Sequence, residues 1–256
     1  MFWSVTIILL IGVMSFVAME RSSEEMHSPK VHIDAKNGIF FLTEDEVINR
    51  LKLKHVFRDG MSLESLNVDT IETILNEMNE VQSSEVYCRL GGEWEIFLEI
   101  RKPISRVINQ NGEQFYLDDR GELMYLSHLY TADVVPVTSN FNFWKDIELD
   151  TVGRVIHNDS LITIGALNQI YELSSYVCND AFLSAQITQI HLNEQGDFIL
   201  IPRVGDQKIV LGKAEDLKSK FDRLQVFYKK GINKVGWDQY DTINLKYASQ
   251  VVCTKK

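Results

Sequence analysis

Val81-Gln82-Ser83-Ser84-Glu85-Val86-Tyr87-Cys88-Arg89-Leu90-Gly91-Gly92-Glu93-Trp94-Glu95-Ile96-Phe97-Leu98-Glu99-Ile100-Arg101-Lys102-Pro103 reads as two strands and a turn. Trp94, Ile96, Leu98 and Ile100 fall on one side of a period-two pattern, so Trp94 to Lys102 is a strand with one buried face. Val81 to Arg89 is its partner, joined through a turn at Gly91-Gly92. Pro103 brings no backbone N–H to a ladder, and the character of the sequence changes beyond it, so a domain boundary falls near Lys102.

Upstream, Val68, Ile71, Leu75 and Met78 recur at three- and four-residue steps on one helix face, with Asn67 as N-cap. Before them Thr43 and Glu46 form a capping box for a helix carrying Val47, Ile48 and Leu51, and Val31-His32-Ile33 is a short strand. The order over residues 31–102 is strand, helix, helix, strand, strand. Residues 21–30, with Ser22, Ser23, Ser28, Pro29 and several charges, have no apolar periodicity and read as a linker.

Residues 1–20 read as a transmembrane anchor. Phe2 to Met19 carry no charge, near the shortest run that crosses a hydrocarbon core of roughly 30 Å. Trp3 suits an interfacial position, and Glu20, Arg21, Glu24 and Glu25 end the span. A cleaved signal peptide is the competing reading, but the basic leading region is missing and residues 15–19 make a poor small-residue cleavage site. Either reading sends the remaining chain across the membrane.

Downstream, Asn111-Gly112, Asp119-Arg120-Gly121 and Asn193 to Gly196 punctuate short strands over 103–256 and point to a mainly antiparallel β domain. Two helices interrupt it. One lies around Ile164 to Tyr176. The other opens after Gly212, with Ala214, Leu217, Phe221, Leu224 and Tyr228 on one face, Glu215 and Asp216 in its first turn, Lys229 and Lys230 in its last, and Gly231 as a left-handed stop. From Tyr240 to Val252, Ile243, Leu245 and Tyr247 alternate with Asn244 and Lys246, a half-buried terminal strand. At a sheet edge it can accept a strand from another chain, so Ile243, Leu245, Tyr247, Ser249, Gln250 and Val251 are the candidate partner-binding residues. The expected class is α+β: an anchor, a small α/β domain, and a larger β domain with flanking helices.

Composition bounds the function. The chain of 256 residues has 45% hydrophobic and 24% charged residues, ordinary globular usage, and a net charge of −10 that speaks against nucleic acid. Cys88, Cys178 and Cys253 show no CxxC pair and no histidine at ligand spacing; either all are free thiols or one bridge leaves a thiol over. No cofactor or small-molecule substrate is expected. GxSxG, HExxH, P-loop and GxGxxG signatures are missing. His32 with Asp34, the run His157-Asn158-Asp159-Ser160, and the acid pairs Glu93/Glu95 and Asp118/Asp119 are fragments that solvated strand and turn positions explain better than catalysis.

The order of elements over 31–102 resembles a POTRA domain, a small α/β module used for protein contacts. Four further stretches, residues 99–107 around Pro103, residues 115–124 from Phe115 to Met124, residues 185–190 (Ala-Gln-Ile-Thr-Gln-Ile) and residues 243–253, resemble the bacterial cell-division family FtsQ/DivIB, in the form found in Bacteroidota-like bacteria. Tyr130-Thr131-Ala132 and Pro202-Arg203-Val204-Gly205 resemble further family segments, whereas Tyr125 and Asp133 stand where the family pattern has Pro and Arg. The resemblance implies a non-enzymatic divisome scaffold in the cell inner membrane, single-pass, with its bulk in the periplasm. It implies FtsB- and FtsL-like partners, FtsB being received by strand addition at the terminal strand through Tyr247, Ser249 and Gln250. The alternatives are a POTRA-bearing component of outer-membrane protein transport and a membrane-anchored periplasmic hydrolase.

Overall fold

A computed structural model describes residues 7, 9–13, 27–35, 38, 40–62, 65–89, 93–141, 165–232, 234 and 236–256. Phe2, Trp3, Met19, the Gly91-Gly92 turn and the 157–160 run lie outside them. Ile7 and residues 9–13 are helical with exposed side chains, and among the described residues no helix is long and apolar enough to cross a membrane. The chain divides into residues 1–101 and 102–256.

The first unit holds β1 (Lys30–Asp34), α1 (Glu44–Leu53), α2 (Val68–Asn76), β2 (Val81–Cys88) and β3 (Trp94–Ile100). The sheet order is β1-β3-β2, with β1 parallel and β2 antiparallel to β3. Both helix starts are set locally: Thr43 Oγ1 accepts from the Glu46 amide at 3.3 Å and Asn67 Oδ1 from the Thr70 amide at 2.9 Å. Val47, Leu51, Ile71 and Leu75 from the helices and Ile96, Leu98 and Ile100 from β3 are buried, each Leu or Ile contributing about 1.5–3 kcal/mol relative to exposure. Arg50 grips the buried Glu80 with two nitrogens at 3.1 and 3.2 Å, tying α1 to the start of β2.

The second unit holds β4 (Pro103–Ile108), β5 (Gln114–Asp118), β6 (Leu123–Met124), β7 (Val135–Ser139), α3 (Gly165–Asn179), α4 (Ala181–Gln186), β8 (Ile187–Leu192), β9 (Phe198–Pro202), β10 (Lys208–Gly212), α5 (Leu217–Phe227), β11 (Tyr240–Asn244) and β12 (Val252–Lys255). They form one nine-stranded sheet, in the order β12-β11-β10-β9-β8-β7-β4-β5-β6. The sheet is mixed: β4–β7, β7–β8 and β10–β11 pair in parallel. The other five pairs are antiparallel, so the sheet is mainly antiparallel as expected; the parallel pairs β7–β8 and β10–β11 arise where α3–α4 and α5 act as crossovers, since a chain that crosses over returns parallel. Leu167, Ile170, Leu173 and Val177 of α3 and Phe221 and Leu224 of α5 share one core with Val107, Val137, Ile190, Leu200, Ile209 and Ile243 from the strands.

Three hairpins use the same turn. Asn109, Asp118 and Asn193 each stand three residues before a glycine at positive φ: Gly112 (81°), Gly121 (75°) and Gly196 (71°). In each, the side-chain oxygen accepts from the amide four residues on, at 3.0, 2.7 and 2.8 Å. The glycine amide returns to the first residue's carbonyl at 3.1, 3.1 and 2.9 Å. A left-handed closing residue favours Gly, and an Asx side chain three residues earlier satisfies the loop amides, which is why the two recur together.

The helix after Gly212 departs from its sequence reading at both ends. It begins at Leu217, because Asp216 takes a left-handed conformation (φ 50°) that turns the chain after Ala214 has entered the core. It does not stop at Gly231 with positive φ. The chain passes through a π-helical turn, Tyr228–Ile232, which keeps both Tyr228 and Ile232 buried. Gly231 is needed there for space, since a Cβ would lie 2.8 Å from the Phe227 ring.

Candidate protein-binding site on the terminal hairpin

The expected single terminal strand is two strands. β11 pairs in parallel with β10 and antiparallel with β12, so it is interior and the sheet edge is β12. Asn244 ends β11 by accepting the Lys246 amide on Oδ1 at 2.9 Å, and Ser249 takes a left-handed conformation (φ 71°) in the return. Two short apolar runs, 243–245 and 251–253, flank a polar Lys-Tyr-Ala-Ser-Gln stretch, which is a hairpin signal that a continuous period-two reading overrides.

The six candidate residues therefore fall into different environments. Ile243 and Leu245 are fully buried in the core, where they cannot touch a partner. Val251 is half-buried, and Ser249 and Gln250 are exposed. Tyr247 is 52% exposed at the hairpin tip. The residues the sequence reading passed over are those of β12, with Val252 39% exposed and Thr254 and Lys255 outward beside it. No strand among the described residues covers its outer side, and alternate N–H and C=O groups along such an edge face outward.

The hairpin is held from below. Leu245 donates its amide to the Val210 carbonyl at 2.9 Å, and Arg223 of α5 donates to the Leu245 carbonyl at 2.9 Å. Lys246 reaches Asp197 at 2.6 Å, its stem crossing Gly212, where a Cβ would lie 2.8 Å from Lys246 Cγ. Lys256 pairs with Asp206 at 3.2 Å. These contacts leave the backbone of β12 uncovered while fixing its position, and a fixed strand costs an incoming peptide less ordering entropy than a mobile one.

The other candidates resolve into structural roles. Asp118 accepts the Arg120 and Glu122 amides and so holds its turn. Glu93 pairs with Lys30, and Glu95 with Arg89 at 3.3 Å and His32 at 3.5 Å. Among the described residues no group of three or more His, Cys, Asp or Glu is placed to hold a metal ion. All three cysteines are free thiols; burial pushes Cys88 and Cys253 above the ordinary thiol value, which disfavours the reactive thiolate.

The model of the family described as FtsQ/DivIB, C-terminal related, matches residues 102–254. That stretch runs from the start of the second unit into β12. No curated protein matches the chain.

Proposed function

The chain belongs to the FtsQ/DivIB C-terminal related family, whose members are non-enzymatic cell-division scaffolds, and from that premise we propose that it is a divisome scaffold that receives FtsB- and FtsL-like partners, in part by strand addition along β12. The observation that carries this reading is the edge strand β12, uncovered among the described residues, reached by the family-matched stretch and held through its hairpin by Arg223 and Lys246. Tyr247, Ser249 and Gln250 flank that edge at the hairpin tip and contribute side-chain contacts, while Ile243 and Leu245 support it from the core.

The first unit is proposed as a POTRA module, a reading supported by its strand-helix-helix-strand-strand order and its β1-β3-β2 sheet. The uncharged run from Phe2 to Met19 is proposed as the single-pass inner-membrane anchor, with the bulk of the chain in the periplasm. Family membership favours the scaffold over the transport component and the hydrolase.

The test is binding of the full chain, in detergent or nanodiscs, to a peptide from the same organism's FtsB-like protein. Tyr247→Glu and Val252→Glu are each expected to weaken it at least about tenfold, because a carboxylate placed on or beside the edge opposes strand docking. Full-strength binding by both variants, folded by circular dichroism, would remove the site from the terminal hairpin.

A further inference from the structure

The small sheet of the first unit has one face covered and one face bare. Helices α1 and α2 and the inward residues Ile96, Leu98 and Ile100 fill the covered side. On the bare side, period two brings up His32 and Asp34 from β1, Glu95, Phe97 and Glu99 from β3, and Ser83, Glu85 and Tyr87 from β2. The register places His32 opposite Phe97, and Phe97 opposite Glu85.

This face carries an aromatic ladder. His32 and Phe97 stack with centroids 4.5 Å apart, and Tyr87 meets Phe97 edge-on at 5.7 Å. Phe97 remains 39% exposed and Tyr87 51%. The solvated side of a sheet ordinarily carries polar residues, so three rings in a row across all three strands need an explanation. Beside them lies a shallow concavity of about 640 Å³ whose lining includes Phe97, Asp34, Glu85 and Glu99 of this face and reaches Glu44 at the start of α1. Asp34, Glu44 and Glu85 have no basic partner among the described residues. Glu85 instead accepts the Tyr87 hydroxyl, and Glu99 accepts Ser83 Oγ at 3.0 Å, which orients both carboxylates along the face.

We propose that this face is a second docking surface, distinct from β12, for a partner segment bearing arginine or lysine side chains. Charge complementarity selects that occupant: Asp34, Glu85 and Glu99 around the exposed rings, with Glu44 at the rim, repel an acidic segment and leave an apolar one with buried charges to desolvate. A guanidinium satisfies both features at once, stacking flat on Phe97 or Tyr87 while its edge donates to a carboxylate. The surface needs no strand exchange, so it works with β12 occupied or empty.

The experiment uses the full chain and a fluorescein-labelled short peptide alternating arginine and serine, with a glutamate–serine peptide as control, followed by anisotropy at low and high salt. The arginine peptide binds and the control does not. Phe97→Ala, at a half-exposed position that leaves the fold intact, weakens binding roughly five- to thirtyfold. The double reversal Asp34→Lys with Glu85→Lys weakens it about tenfold or more. Glu194→Lys on the other unit and Tyr247→Glu on the terminal hairpin leave it unchanged, which separates this surface both from general acidity and from strand addition. No binding, or equal loss with Glu194→Lys, overturns the proposal. So does a concentration-dependent dimer in sedimentation that the face variants abolish, since that outcome assigns the face to a second copy of the chain.

Discussion

Arg223 donates from Nη2 to the backbone carbonyl of Leu245 at 2.9 Å, so α5 holds the terminal hairpin at the point where β11 ends. The donor is a guanidinium, so its hold is charge-assisted. Arg223→Leu is expected to cost roughly 1–3 kcal/mol of stability, read by urea unfolding. Amide exchange at Leu245 and Lys246 should accelerate beyond the global effect. Unchanged exchange there would show that Arg223 does not hold the hairpin.

The π-helical turn rests on the absence of a side chain at Gly231. An added Cβ would lie 2.8 and 2.9 Å from two carbons of the Phe227 ring. Gly231→Ala should destabilise by roughly 1–3 kcal/mol through overpacking. Combining it with Phe227→Leu should recover part of that loss, and a double-mutant cycle with no coupling would refute the contact.

His191 sits on β8 with Nδ1 3.0 Å from Thr138 Oγ1 on β7. Burial first, then the Lys208 cation, lowers its pKa below the ordinary 6.5. In the folded state it therefore stays neutral at pH values where the unfolded chain takes up a proton. The sign follows: stability is full above about 6.5 and falls as pH drops through that value, because the unfolded state then binds more protons. His191→Gln should flatten this part of the pH dependence between about pH 7.5 and 5.5. An unaltered slope in urea unfolding would exclude His191 as its source.

Tyr228 is buried with its hydroxyl beside the side chains of Gln186 and Gln207, and the hydroxyl finds no well-formed hydrogen bond among the described residues. Burial pushes its pKa up. Removing an unsatisfied buried hydroxyl leaves the packing of the ring against Trp237 and Phe182 in place. Tyr228→Phe should be neutral or stabilising, within about 1 kcal/mol. A loss well beyond that in thermal or urea unfolding would reveal a bound water completing the cluster.

Features that close within four or five residues along the chain were legible before any fold was known. The Thr43 and Asn67 caps and the turns at Gly112, Gly121 and Gly196 rest on hydrogen bonds from a side chain to a nearby amide, so residue type and spacing locate them, although the capping side chains of the first two turns are Asn109 and Asp118 rather than the Asn111 and Asp119 that the sequence points to. The apolar faces of α2 and β3 were legible for the same reason: periodicity states which side is buried. The family likeness was also carried by the sequence, in stretches that the family match spans.

Which strands meet was fixed by long-range packing. Whether β11 lies at an edge or inside depends on β12 folding back onto it and on α5 carrying the chain across to β10 in parallel. Pairings between distant residues leave no trace in local period. Ile243 and Leu245 alternate as an edge strand would, yet they are unavailable to a partner because the core that includes Phe221 and Leu224 of α5 packs over the face they share. Gly231 marks the same limit. Its type suggested a left-handed stop, but the need to bury Tyr228 and Ile232 together under a nine-stranded sheet widened the helix instead, since packing many apolar atoms outweighs one local backbone preference.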